Sequence, residues 1–363
     1  MARSLRANLF VPDARAGWVP FARSRAMKLL KQYQIDAVIT TGPPHSTHFI
    51  GKWLKRKAGI RWIADFRDPW TDIHYNRVLP RWKITQKRDL RMEVSILREA
   101  DEITVTAPGT ARYFNQKAQR DYHTIPNGFD PDDFPQGQSA REKKADEPFI
   151  IRHVGSITET CIPYNLLKAL RELTYSGTET GKSTEQKPQS ILKWRMEFIG
   201  SVHPGLVSQV KNLGLQEVVT IRAYVPHREA TLLMQQADMN VVVVHRSIDS
   251  RILIPGKLYD YLKAGRPVMI IGPTDGDAAA IVETCRIGRT FDYADVSGPA
   301  AWIKAVASLD STGMSPGQQE DVSGWGKSDT ITRITGDQKA IETYSRAALT
   351  SRFASLLHSV CAI

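Results

Sequence analysis

The chain has 363 residues, and its 49 Lys and Arg against 38 Asp and Glu leave a net charge of +11. Hydrophobic residues make up 42% and charged residues 24%, a balance that excludes collagen, coiled coil and wholesale disorder and fits about two globular domains. The basic surplus favours anionic partners, whether nucleotide phosphates, lipid headgroups or nucleic acid.

Residues 1–15 lack the apolar h-region of a signal peptide. A helix is predicted over 19–32, then a strand over 36–41, a helix over 47–57 stopped by Gly59, and a strand over 61–66. A long charged helix follows over 80–99, then a strand at 102–106, a short helix, and a strand near 122–125. Residues 133–147 are polar, charged and nearly free of apolar side chains, which marks a linker. Six further strands are predicted at 149–155, 194–199, 218–222, 239–245, 267–271 and near 288–291. Helices at 163–174, 204–213, 227–236, 257–263 and 277–285 alternate with them, and 176–190 reads as a surface loop. A last helix is predicted over 338–357. Strands alternating with helices in this way give parallel α/β sheets. Cys161, Cys285 and Cys361 are too scattered for a disulfide framework or zinc knuckle, so a reducing compartment is expected. No apolar run approaches the ~20 residues of a spanning helix.

Several motifs fall where a parallel sheet binds ligands, at the carboxyl ends of its strands. In PGKLYDYLKAGRPVMIIG (255–272), Lys257 lies in the first turn of a helix. The free N–H groups and positive dipole end there suit a phosphate. Asp260 is one turn further on the same face and can accept from ribose hydroxyls. An ordinary helix with a solvent-facing lysine is the bland alternative. TTGPPHSTHFIG (40–51) joins a strand to a helix, with Ser46 able to cap it and His45 and His48 near the strand's end. ADFRDPWTD (64–72) gathers Asp65, Arg67, Asp68 and Asp72 at the same edge without the spacings of a transition-metal site. FIIRHVGSI (149–157) brings Gly155 and Ser156 to a turn where backbone can approach a phosphate, but no G-x-G-x-x-G is present. GKWLKRK (51–57) and RWKITQKR (81–88) mix Trp with basic residues and could touch anionic lipid.

TTGPPHS, WIADFRDPW, EADEITVTA, IPNGFD, HVGSI and GKLYDYLKAGRPV occur in this order, and together they resemble a bacterial family-4 glycosyltransferase. The resemblance implies an α/β GT-B-like fold of two Rossmann-like doubly wound domains facing a cleft. The N-terminal one would be the acceptor-side domain, over 1–133, joined by a linker at 134–147. A nucleotide-sugar-binding domain would cover 148–335, and a helix over 336–363 would pack back on the first. The implied function is that of a hexosyltransferase. It would move a sugar from a nucleoside-diphosphate sugar to a saccharide or lipid-linked acceptor in cell-surface glycan or exopolysaccharide synthesis. Transfer would be retaining and metal-independent, with no cofactor beyond that substrate. The implied location is cytoplasmic or peripheral on the inner membrane face, with weak contact to anionic membrane and no nucleic-acid partner.

The donor residues carried over are Gly155, Ser156, Tyr224, Lys257 and Asp260, and the catalytic candidates are His45, His48 and Asp68. Three departures accompany the likeness. Ile252 stands where the family places a sugar-contacting Glu, and Cys161 where this branch often has Arg. The family's opening strand and glycine-rich loop, with roughly two to three β/α units, have no counterpart. The N-terminal domain is therefore expected to be incomplete, with an exposed sheet edge. The competing reading is a catalytically impaired nucleotide-sugar-binding protein or partner subunit derived from such an enzyme.

Overall fold

A computed structural model describes residues 2–71, 73–135, 147–175, 193–311, 334 and 336–362. Asp72, the loop at 176–190 and most of the expected linker lie outside the described residues. The chain divides into two compact units, Met1–Asn127 with Arg346–Ile363, and Gly128–Ser345.

The first unit contains α1 (Ala2–Leu9), α2 (Val19–Gln32), β1 (Ala37–Gly42), α3 (His48–Ala58), β2 (Arg61–Phe66), α4 (His74–Arg77), α5 (Lys83–Glu99), β3 (Glu102–Val105), α6 (Pro108–Asn115) and β4 (His123–Thr124). Among the described residues its sheet has four parallel strands in the order β1-β2-β3-β4, with β1 at an edge. Ile39 on that edge strand is exposed. Helix α3 ends at Gly59, whose φ of 67° is a conformation that favours glycine. Its inner face buries Ile50 and Leu54, and Gly51 lets the helix lie against Trp62; a Cβ at 51 would come within 2.1 Å of the indole nitrogen. Three of its basic residues are already paired. Lys52 meets Glu99 at 2.7 Å, Lys55 meets Asp101 at 2.8 Å and Arg56 meets Glu99 at 2.7 Å.

Two buried ionic clusters fix the loop after β2 to α5 and to Lys117, just beyond α6. Asp89, 1% exposed, accepts from the Trp70 indole at 2.9 Å and pairs with Arg81. Glu93, fully buried, accepts from Thr71 Oγ1 at 2.6 Å and from Lys117 Nζ at 2.5 Å.

The second unit contains β5 (Phe149–Val154), α7 (Tyr164–Tyr175), β6 (Trp194–Ile199), α8 (Pro204–Asn212), β7 (Val219–Arg222), α9 (His227–Gln235), β8 (Met239–Val243), α10 (Lys257–Ala264), β9 (Val268–Ile271), α11 (Asp277–Thr284), β10 (Gly288–Phe291), α12 (Ser297–Ser311) and α13 (Gln338–Glu342). Its parallel sheet runs β10-β9-β8-β5-β6-β7. Strands β5 and β8 are buried along their whole length, as strands covered on both faces must be. One face packs on Leu166, Leu170, Trp302 and Ile303, the other on Met234, Leu258, Tyr261 and Val282. The strand order reverses between β5 and β8, which opens a crevice at their carboxyl ends.

The helix expected over 338–357 is two, α13 and α14 (Arg346–Cys361). The chain between them breaks to place the Tyr344 carbonyl on the Phe129 N–H at 3.1 Å. Helix α14 belongs to the first unit, where Leu356 and Val360 pack with Ile63. Helix α12 has no counterpart among the sequence expectations; Pro299 sits in its first turn, where proline is tolerated.

Lys117→Ala leaves the Glu93 carboxylate buried without its cation, and the expected loss of stability at pH 7 is about 3–5 kcal/mol. Burial raises the pKa of Glu93, so the penalty shrinks as the pH falls and the group takes up a proton. Glu93→Gln in the Lys117→Ala background should restore part of the loss. Urea unfolding followed by tryptophan fluorescence checks this; a Lys117→Ala loss under about 1 kcal/mol would contradict the pairing argument.

Candidate functional site

In the second unit the crevice between β5 and β8 gathers charge and glycine. Strand β5 ends at Gly155, with φ 118°, and β6 ends at Gly200, with φ 130°. The two turns press together so closely that a Cβ on Gly200 would sit 2.8 Å from the Gly155 carbonyl oxygen. Lys257, the first residue of α10, runs beneath the Gly155 turn; a Cβ at 155 would lie 2.6 Å from Nζ. A side chain at 155 is therefore strained by the backbone conformation and would displace the Lys257 ammonium.

Lys257 Nζ lies 2.9 Å from His153 Nε2, and His153 Nδ1 lies 2.9 Å from the Val241 carbonyl. A carbonyl only accepts, so Nδ1 carries the proton and Nε2 accepts from the ammonium. Burial lowers the Lys257 pKa to about 8, with Cys161 opposing the shift. Burial, with Lys257 close by, lowers that of His153 far below the ordinary histidine value. The imidazole is therefore neutral.

Sequence reasoning missed a second cation. Arg246 lies three residues beyond the end of β8, and its backbone N–H donates to the Thr160 carbonyl at 3.1 Å. Its guanidinium lies 4.6 Å from the centre of the Tyr293 ring and 5.7 Å from that of Tyr164. Cys161, next to Thr160, interacts electrostatically with both Lys257 and Tyr293. Arg246 is thus a basic residue whose backbone bonds to the turn that carries Cys161. The available signal was a basic residue at the carboxyl end of an apolar strand.

The remaining donor candidates lie on the same edge. Ser156 is exposed just beyond Gly155, and Asp260 is half-buried one turn into α10. Tyr224 is 80% exposed beyond β7, two strand spacings from β5, or about 10 Å. Ile252 is half-buried in a short 3₁₀ turn between β8 and α10.

In the first unit the carboxyl ends of β1, β2 and β3 are tied by side chains. Asp65 accepts from Thr41 at 3.0 Å and Thr104 at 2.6 Å, its two partners in the strand register. Arg67 reaches Asn127, and Asp68 is half-buried in the same loop. His45 stacks on Trp70 with ring centres 4.9 Å apart and is 5% exposed. Burial lowers its pKa to about 4, although Asp13 and the Pro69 carbonyl favour its charged form. His48 is fully buried against Phe66, with Nδ1 2.9 Å from Thr40 Oγ1. Burial pushes its pKa well down, so both rings are neutral at pH 7 and only His45 keeps any access to solvent. Ser46 makes no helix cap; it donates from N and Oγ to Asp13, at 2.8 and 2.9 Å. Gly42 is required beside both rings, since a Cβ there would come within 2.6 Å of His48 and 2.9 Å of His45.

Among the described residues no group of three or more His, Cys, Asp or Glu side chains is disposed to hold a metal ion. No helix among them is long and apolar enough to cross a membrane.

Comparison with known proteins gives this geometry a context. Residues 2–133 match the model of Glycosyltransferase Family 4. No curated protein gives a significant sequence match. Solved structures share the fold at low identity. Sucrose-phosphate synthase from Thermosynechococcus elongatus superposes with a TM-score of 0.65 at 16% identity, covering 97% of this chain and 81% of that one. HepE from Anabaena, solved with UDP and glucose, gives 0.60 at 15% identity, covering 93% and 81%. An α,α-trehalose-phosphate synthase (UDP-forming) from Burkholderia vietnamiensis gives 0.63 at 11% identity, covering 97% and 78%. Residues 2–133 are thus similar to the family-4 glycosyltransferase model, and the chain has the GT-B-like fold of two Rossmann-like α/β domains.

Proposed function

We propose that this chain binds a nucleoside-diphosphate sugar on its second unit and transfers the sugar to a saccharide or lipid-linked acceptor. The observation that carries this reading is Lys257, a largely buried ammonium set beneath a glycine turn where the strand order reverses. In transfer, negative charge grows on the departing diphosphate, and fixed cations in a shielded site stabilise it most. Lys257 and Arg246 supply two positive charges there, and the α10 N-terminus adds its dipole. These groups support a reaction that runs without a divalent metal. Retention of configuration is the outcome implied by the resemblance to family 4. Ser156 and the Gly155 backbone would contact phosphate, Asp260 the ribose and Tyr224 the base. His45, neutral at pH 7, would donate or accept a hydrogen bond to the sugar or acceptor rather than act as a cation, with Asp68 in the same loop cluster. Ile252 favours a second reading, nucleotide-sugar binding without turnover, because an aliphatic side chain cannot bond a sugar hydroxyl. Nucleotide binding with no sugar released or transferred would select it.

The first test is calorimetry with UDP, GDP and dTDP in the presence of EDTA. One of them should bind. Lys257→Ala should cost about 1.5–3 kcal/mol, a charge-assisted contact, and Arg246→Ala should weaken the diphosphate but not the free nucleoside. No binding in the wild type, or none without added metal, would overturn the reading.

The second test is pH. Lys257 binds phosphate as the ammonium, and in the free protein it loses its proton near pH 8. Diphosphate affinity should therefore be full below that pH and fall as pH rises through it. Lys257→Arg, charged throughout, should flatten the profile; an unchanged slope would remove Lys257 from the site.

We also propose contact with anionic membrane through the first unit, on a different surface from residues 52–57, where Lys52, Lys55 and Arg56 are engaged in ion pairs. Helix α1 docks on the segment before α5: Asn8 donates to the Pro80 carbonyl at 2.9 Å and accepts from the Trp82 N–H at 2.8 Å. Leu5, Leu9, Phe10, Trp82 and Ile84 are left exposed there. Lys83, Lys87, Arg88 and Arg91 are exposed, while Asp89 and Glu93, the only acids over 74–98, are buried. Each basic residue near an anionic surface contributes about 1 kcal/mol, screened by salt. Co-sedimentation with phosphatidylglycerol vesicles at low salt should be lost in Trp82→Ser/Lys87→Glu; equal sedimentation of both proteins would reject this surface.

A further inference from the structure

We infer that His153 is the positioning residue for the phosphate-binding lysine, holding the Lys257 ammonium under the Gly155 turn without cancelling its charge. This rests on the donor-site reading above. The pairing of β5 with β8 stops at Arg152 and Asn240, one residue short of His153 and Val241. Beyond that point the strands no longer share a backbone ladder, and the Val241 carbonyl bonds to His153 Nδ1 instead, at 2.9 Å. That bond fixes the ring plane and the tautomer, which leaves Nε2 as an acceptor 2.9 Å from Lys257 Nζ. The ring is 1% exposed and edges against Phe198 at 6.0 Å, so it has little freedom to turn away.

The choice of a neutral acceptor matters. A buried ammonium needs a hydrogen-bond partner. A carboxylate would supply one, but it would also neutralise the lysine and repel an incoming diphosphate. A neutral imidazole satisfies one N–H of the ammonium and leaves its full charge, and its other two N–H groups, for the ligand. His153 thus couples the point where two strands part to the position of the cation that their crevice presents.

Two substitutions separate positioning from mere packing in the full chain. The His153→Asn amide reproduces the Nδ1 donor to Val241 but has nothing at the Nε2 position. The His153→Gln carboxamide reaches the Nε2 position and can accept from Lys257. UDP affinity, by calorimetry, should fall about tenfold or more in His153→Asn and stay within about threefold of wild type in His153→Gln. Uridine affinity should be unchanged in both. Equal losses in the two variants, or parallel loss of uridine, would overturn the positioning role alone. Absence of UDP binding in the wild type would overturn the donor-site reading and this role with it. A nucleotide-free measurement covers variants that fail to fold. In protein labelled with ¹⁵N-histidine, His153 should show a protonated Nδ1 and a bare Nε2 whose shift moves in Lys257→Ala. A protonated Nε2, or no movement, would overturn the contact.

Discussion

Burying an ammonium beneath a glycine turn is costly, and the second unit is arranged so that this cost is met without adding negative charge. The Lys257 side chain fills space that a Cβ at position 155 would otherwise take. An acceptor stands behind it, and its pKa, though lowered by burial, stays at about 8. The acceptor in turn depends on β5 and β8 separating one residue before His153, which frees a carbonyl to orient the ring. The strand reversal, the two glycine turns, the imidazole and the lysine therefore form one dependent set. The doubly wound sheet exists independently of them, held by the apolar layers on its two faces.

The first unit solves a different problem. Its strands end in a loop rich in polar side chains, and that loop is fastened from below rather than by its own residues. Trp70 hangs on Asp89, Thr71 on Glu93, and Asp13 holds the turn at Ser46. The buried carboxylates are each matched by a cation, Arg81 and Lys117, since an unpaired one would be strongly destabilising. The consequence for chemistry is that His45 is stacked between fixed aromatic neighbours and stays neutral, a hydrogen-bonding group of defined orientation. The same accounting reassigns the basic surface. Lys52, Lys55 and Arg56 on α3 are spent on Glu99 and Asp101, whereas the basic residues near the start of α5 have no exposed acids beside them.

Much of the second unit was legible in the sequence because continuous apolar strands and capped amphipathic helices leave a local imprint. Strands at 194–199 and 288–291 lie where expected to the residue, as does the first-unit helix at 19–32. Placing Lys257 in the first turn of a helix required only Pro255 and Gly256 before it and Gly265 after it. The elements that escaped notice had misleading local signals. Gly298 and Pro299 disguise the start of α12, and the apolar pattern of 338–357 conceals the break that serves Phe129.

The sequence by itself determined the α/β class, the alternation of strands and helices, the turn at Gly155 and the identity of the phosphate-binding candidate. It carried these because periodicity, caps and glycine positions are properties of neighbouring residues. Only the tertiary structure decided the electrostatics. Whether Lys52 is free or paired, whether His48 is open or enclosed, and which ring nitrogen faces Lys257 depend on Glu99, Phe66 and His153, residues 47, 18 and 104 positions away. His153 and Arg246 are unremarkable in the chain, one beside a strand end and one just past another. They become parts of a candidate site because parallel pairing brings the ends of β5 and β8 together, and because charge is felt across space rather than along sequence.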